Sequence, residues 1–85
     1  MAEFKIFFRE SVYKDFKQIP KKDLKQILNK INGLAHDPRP SGCQKLSESE
    51  KYRIRQGKYR ILYSVQDDEL TIWIVRIAHR KDVYR

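Results

Sequence analysis

Two hydrophobic periods alternate along this chain. Phe4 to Phe8 reads Phe-Lys-Ile-Phe-Phe, aromatic and β-branched with partial alternation, which predicts a first strand. Ser11 is placed to cap a helix in which Val12, Phe16 and Ile19 fall near helical spacing. Pro20 interrupts that helix, because proline lacks a backbone donor and clashes in a helix interior. From Lys21 to Ala35 the pattern is stronger. Leu24, Ile27, Leu28, Ile31, Leu34 and Ala35 step by three and four into one apolar stripe, with Lys22, Lys25, Gln26 and Lys30 off it. His36 falls at the end of this helix, where an imidazole can cap carbonyls and complement the dipole. The Asp37-Pro38-Arg39-Pro40-Ser41-Gly42 stretch that follows is a loop, too short to link two domains.

After that loop the period shortens to two. Lys51 to Arg55 alternates, Gln56-Gly57-Lys58 turns the chain, and Tyr59 to Gln66 alternates again. Asp67-Asp68 marks a tight turn. Leu70 to Ala78 is almost continuously apolar, which predicts a central strand covered on both faces. The order is βααβββ. It implies one α+β domain spanning 1–85, with a helical hairpin packed on a twisted, mostly antiparallel four-stranded sheet.

Alternation also assigns faces. Arg53 and Arg55 leave one side of their strand, and Tyr52 and Ile54 the other. On the next strand Tyr59, Ile61, Tyr63 and Val65 share a face, while Arg60, Leu62 and Ser64 share the opposite one. If Gly57 closes a hairpin in this register, Arg53, Arg55 and Arg60 converge, whereas a slip of one residue scatters them. Two readings follow. The arginines either grip phosphate through their planar forks or pair across the strands with Glu48, Glu50, Asp67 or Glu69.

Charge changes the picture. The 85 residues include 19 Lys and Arg against 11 Asp and Glu, a formal charge of +8, which points to a polyanionic partner. The single cysteine, Cys43, excludes an intramolecular disulfide and a cysteine-based metal site, so a cytoplasmic protein is expected. The start of the chain lacks the apolar run of a signal peptide, and no stretch suits a membrane span. Three adjacent acids at Asp67, Asp68 and Glu69 cannot all face one ion, so no metal and no cofactor are expected.

The last residues, His79-Arg80-Lys81-Asp82-Val83-Tyr84-Arg85, add titratable and phosphate-binding groups directly after the most apolar strand. RNA carries its own nucleophile, the 2′-hydroxyl. Cleaving it needs in-line positioning, a proton acceptor, a donor for the leaving oxygen and charge stabilisation. His79 can carry a proton near neutral pH, or it can be a hydrogen-bonded residue at a strand end. Tyr84 can stack on a base or act as a phenolate among cations, or it can plug the sheet edge.

Lys45-Leu46, Tyr52-Arg53-Ile54-Arg55, Gly57-Lys58-Tyr59-Arg60-Ile61-Leu62-Tyr63 and the closing His79-Arg80-Lys81-Asp82-Val83-Tyr84 resemble the RelE/ParE superfamily of toxin–antitoxin toxins. The likeness covers the whole chain in element order and is specific from Lys45 onward. The closing His-Arg-x-x-Val-Tyr resembles the nuclease branch more than relatives that poison DNA gyrase. The resemblance implies a metal-independent endoribonuclease that cleaves messenger RNA in the ribosomal A site, held by a RelB-like antitoxin in a hetero-oligomer. It implies that Arg60 stabilises the phosphate in flight, that Arg80 assists it or the leaving group, and that Tyr84 orients the 2′-hydroxyl. Arg53 and Arg55 would flank the site, with Lys45, Lys51, Lys58 and Lys81 on the RNA backbone. Where the founding member has lysines, this strand has arginines, which cannot pass a proton; that shifts proton transfer toward His79. A gyrase inhibitor and a non-catalytic RNA-binding module are the alternatives.

Overall fold

A computed structural model describes residues 3–46 and 50–79. The elements are β1 (Lys5–Phe8), α1 (Glu10–Lys17), α2 (Lys21–Leu34), β2 (Gln44–Lys45), β3 (Lys51–Gln56), β4 (Tyr59–Gln66) and β5 (Thr71–His79). Strands β2 to β5 form an antiparallel meander, and β1 joins its end parallel to β5, giving the sheet order β1-β5-β4-β3-β2. The expected α+β class holds, but among the described residues the sheet has five strands rather than four. The extra strand, β2, is two residues long, too short for any alternation to register in the sequence.

Both helices lie against one face of the sheet. Val12 of α1 and Ile27, Ile31 and Leu34 of α2 are buried against Tyr52, Ile54, Tyr59, Ile61, Tyr63 and Val65 of the meander. The α2 stripe is therefore the core-facing one, with Leu24 and Leu28 at its margin. Helix α1 starts two residues earlier than a Ser11 cap would place it. Arg9 occupies the N-cap position without a side-chain cap, because its backbone N–H donates to Ile74 O at 3.0 Å and fixes the entry of the chain. Helix α1 stops at Lys17, before Ile19 and Pro20, and Pro20 instead takes the N-cap position of α2. The His36 ring turns to Glu3, 3.2 Å away, instead of the helix carbonyls.

The loop after α2 is tied to the sheet by two stacked tyrosines. The buried Tyr63 hydroxyl donates to Pro38 O at 2.8 Å, and Arg39 Nε donates to the Tyr52 hydroxyl at 2.9 Å. Burial pushes the Tyr63 phenol well above its ordinary value, so it stays a neutral donor. The same Arg39 grips both oxygens of Asp67, at 2.7 and 3.2 Å, and holds that carboxyl below the usual range.

Strand β5 departs from the expectation of two covered faces. Its pairing with β4 shifts between Leu62 and Tyr63, which sit opposite Arg76 and Ile74, leaving Val75 as the extra residue of a β-bulge. Strict alternation would put Ile77 on the same side as Trp73. The bulge instead keeps Ile72, Ile74 and Ile77 buried, while Arg76 is exposed and Trp73 half-buried on the other side. Beyond Ile74, β1 has ended, and the N–H of Ile77 donates to Asp15 Oδ2 of α1 at 3.0 Å. A helix carboxylate thus replaces the missing strand. Removing it leaves a half-buried backbone donor without a partner, at a cost of about 1–3 kcal/mol. Asp15→Ala should lower the urea midpoint of unfolding accordingly. Asp15→Asn, whose amide oxygen can still accept, should recover most of the loss.

Candidate nucleic-acid interface

The face of the sheet opposite the helices carries the arginines. Gly57, at φ +62°, makes the two-residue turn of the β3–β4 hairpin, a conformation that other residues adopt at a cost. The register it sets pairs Lys51 with Ser64, Arg53 with Leu62 and Arg55 with Arg60. This is the register in which the three arginines converge. It is enforced from the other side, because a slip of one residue would expose Tyr52, Ile54, Ile61 and Tyr63.

Among the described residues, Arg53 and Arg55 make no ion pair. Arg53 donates through Nη2 to the side-chain oxygen of Gln44 on β2. Of the acids expected to pair with the strand arginines, Asp67 is taken by Arg39 from the loop, and Glu48 lies outside the described residues. Asp67, Asp68 and Glu69 form a short exposed turn with Glu50 beside it, at the far end of β4. The eight residues of β4 span about 26 Å. One end of the sheet is therefore acidic and the other cationic.

Arg55 stands directly across from Arg60. Two guanidinium groups placed across from each other favour negative charge beside them. A shallow depression of about 370 Å³ lies there, lined by Arg55, Gly57, Lys58, Tyr59 and Arg60. A second, of about 410 Å³, is lined by Lys30, Ser41, Gly42, Gln44, Arg53 and Arg55, among others. Arg55 borders both. Guanidinium groups held on paired strands can take phosphate oxygens bidentately with little ordering on binding.

The bulge adds a residue that alternation hides. Arg76 sits opposite Leu62, which pairs in turn with Arg53, so it joins the same face. A sequence signal exists, since Arg76 interrupts an otherwise apolar run, but its direction depends on the bulge. Lys51 shares the arginine face and Lys58 lies in the hairpin turn. Lys45 does not join them, because it pairs with the buried Tyr52 and so belongs to the helix side.

His79 is separated from the arginines. It pairs with Tyr59, and the two rings meet edge to face at 5.1 Å. Tyr59 is buried on the helix side, its phenol pushed up first by burial and then by the Asp23 carboxylate of α2. Strand alternation thus turns His79 away from Arg60. Arg80, Lys81 and Tyr84 lie outside the described residues.

Residues 6–84 match the family described as the ParE toxin of type II toxin–antitoxin system, parDE. The chain is 32% identical to a protein named putative toxin RelE1 from Methanocaldococcus jannaschii, over 98% of this chain and 97% of that one. It is 29% identical to toxin RelG of Mycobacterium tuberculosis, over 96% and 97%. The fold is similar to the archaeal RelE–RelB complex from Pyrococcus horikoshii, with a TM-score of 0.85 and 25% identity over 96% of this chain and 100% of that one. It also resembles the isolated RelE toxin of Escherichia coli, at a TM-score of 0.78 and 20% identity over 92% and 84%, a likeness of fold alone.

Arginines that serve binding and arginines that serve folding respond differently to removal. Arg53→Ala and Arg55→Ala should each change unfolding free energy by less than about 0.5 kcal/mol. Arg39→Ala should cost about 1–2 kcal/mol at neutral pH, largely from the hydrogen bond lost by the Tyr52 hydroxyl. The Asp67 carboxyl is depressed in the folded chain, so its pairing stabilises above about pH 4 and is lost as pH falls through the depressed value. Urea unfolding at pH 7 and pH 3 should therefore show the Arg39→Ala deficit shrinking in acid.

Proposed function

The chain belongs to the ParE toxin family of the RelE/ParE superfamily, and as the toxin of a toxin–antitoxin pair we propose that it is a metal-independent endoribonuclease acting on messenger RNA in the ribosomal A site. The observation that supports this is the convergence of Arg53, Arg55 and Arg60 on one open sheet face, with no ion pair for Arg53 or Arg55 among the described residues.

In this reading the substrate's 2′-hydroxyl attacks the adjacent phosphorus, the P–O5′ bond breaks to leave a 2′,3′-cyclic phosphate, and the departing 5′-oxygen takes a proton from water. Arg60 stabilises the charge that builds on the phosphate, from a rigid strand position beside the hairpin depression. Arg80 assists the phosphate or the leaving oxygen. Tyr84 orients the 2′-hydroxyl and takes its proton, its phenolate favoured by cationic neighbours. Arg53, Arg55, Lys51 and Lys58, with Lys81 and the newly placed Arg76, hold the flanking backbone. Lys45 would have to reach the RNA around the sheet edge. Because His79 faces Tyr59, it supports the fold of the site rather than carrying the proton. The enzyme would act in the cytoplasm. Its partner is a RelB-like antitoxin in a hetero-oligomer, as in the archaeal RelE–RelB complex, and an acidic, amphipathic segment of that antitoxin would neutralise the basic face.

Primer extension on a translated messenger, with purified protein and ribosomes, tests the proposal. Wild type should produce discrete cuts. Arg60→Ala and Tyr84→Ala should lower cleavage at least about 100-fold while leaving circular dichroism unchanged. Absence of cuts with wild type, or equal cuts with Arg60→Ala, overturns the reading. His79→Gln should retain cleavage within a few-fold.

The family match itself favours a second reading, a non-nuclease inhibitor of DNA gyrase. A supercoiling assay separates the two: inhibition of gyrase without messenger cleavage would establish it.

A further inference from the structure

The arginine face does not end at the arginines. On β1, Phe7 points away from the core and is 42% exposed, while Ile6 and Phe8 turn inward toward it. Phe7 pairs with Trp73 on β5, their ring centres 5.1 Å apart and their planes inclined by 29°. The guanidinium carbon of Arg9 lies 5.2 Å from the centre of the indole ring. Three planar groups, one of them cationic, thus stand at stacking distance on an open strand edge. Trp73 is opposite Ser64, which is opposite Lys51, so the ladder shares a face with Arg53, Arg55, Arg60 and Arg76.

The placement has a direction. Trp73 lies about 15 Å along the strands from the row of Arg55, Arg60 and Ala78, a span that a few nucleotides of extended chain cover. Arg9 and Arg76 stand between the two ends. Among the described residues, no Asp or Glu occupies an outward position on any strand of this face. An exposed aromatic ring beside a cationic track is the combination that binds single strands, with rings taking bases and cations taking phosphates.

We propose that Phe7, Trp73 and Arg9 form a base-stacking site for single-stranded RNA, taking an unpaired nucleobase of the strand whose phosphates the arginines hold. The proposal rests on the nucleic-acid reading of this face but not on cleavage. Phe7 offers the exposed ring, Trp73 backs it, and Arg9 keeps the indole oriented while reaching the neighbouring phosphate.

Trp73 is the only tryptophan of the chain, so its fluorescence reports on this site. The test is a titration of the full-length protein with a 2′-O-methyl octa-adenylate, which cannot be cut, and with an abasic octamer of equal charge. The octa-adenylate should quench Trp73 and the abasic octamer should not. Phe7→Ala should weaken octa-adenylate binding about tenfold and leave abasic binding unchanged, whereas Phe7→Tyr, which keeps a ring, should bind like wild type. Equal quenching by the two octamers in wild type overturns the proposal without recourse to a variant. So does unchanged affinity in Phe7→Ala, or a Trp73 response confined to an acidic peptide of matched charge. Failure here with messenger cleavage intact rejects the stacking site alone, while base-dependent quenching without cleavage rejects the nuclease reading and keeps the site.

Discussion

Burial of Tyr52, Ile54, Tyr59, Ile61 and Tyr63 beneath two helices is what holds the arginines in place. These residues alternate with Arg53, Arg55 and Arg60, so packing one set inward obliges the other to face out. The core and the candidate site are therefore two sides of the same strands. Because the register is set by apolar packing, the outward direction of the arginines does not depend on ion pairs, and among the described residues Arg53 and Arg55 make none.

The supporting contacts fit that division. Arg39, from the loop after α2, binds Asp67 and the Tyr52 hydroxyl, while the Tyr63 hydroxyl anchors Pro38. Polar groups on the helix side are thus satisfied locally, and one acid at the β4–β5 turn is engaged far from the arginine rows. Asp15 does the same for the backbone of β5 where β1 stops short. The bulge beside it lets a single strand bury Ile74 and Ile77 while presenting Arg76 outward. A flat, unbroken strand could not do both.

The outward face consequently has a mixed chemistry along its length. At the hairpin end, Arg55 and Arg60 oppose each other across a polar depression. At the β1 edge, Phe7, Trp73 and Arg9 form a ladder of planar groups. Phosphate recognition and base recognition are separate physical tasks, and the strand register places groups suited to each on one surface. Family membership makes the chain a toxin, whereas the proposal of RNA as its target rests on this surface.

The sequence by itself determined the order of the longer elements, the two amphipathic helices, the β3–β4 hairpin and the shared face of Arg53, Arg55 and Arg60. These follow from local periodicity and from one turn glycine, both carried by residues close together in the chain. Only tertiary structure decided the rest. β2 is too short to show a period and exists because β3 offers it an edge. Arg76 points outward because of a bulge that depends on pairing with β4. His79, adjacent in sequence to Arg80, faces Tyr59 because alternation at the end of β5 follows the register beyond that bulge. Phe7 and Trp73 lie far apart in the chain and meet only because β1 adds in parallel to β5. Faces within one strand are local facts, while the neighbours those faces acquire are set by long-range pairing.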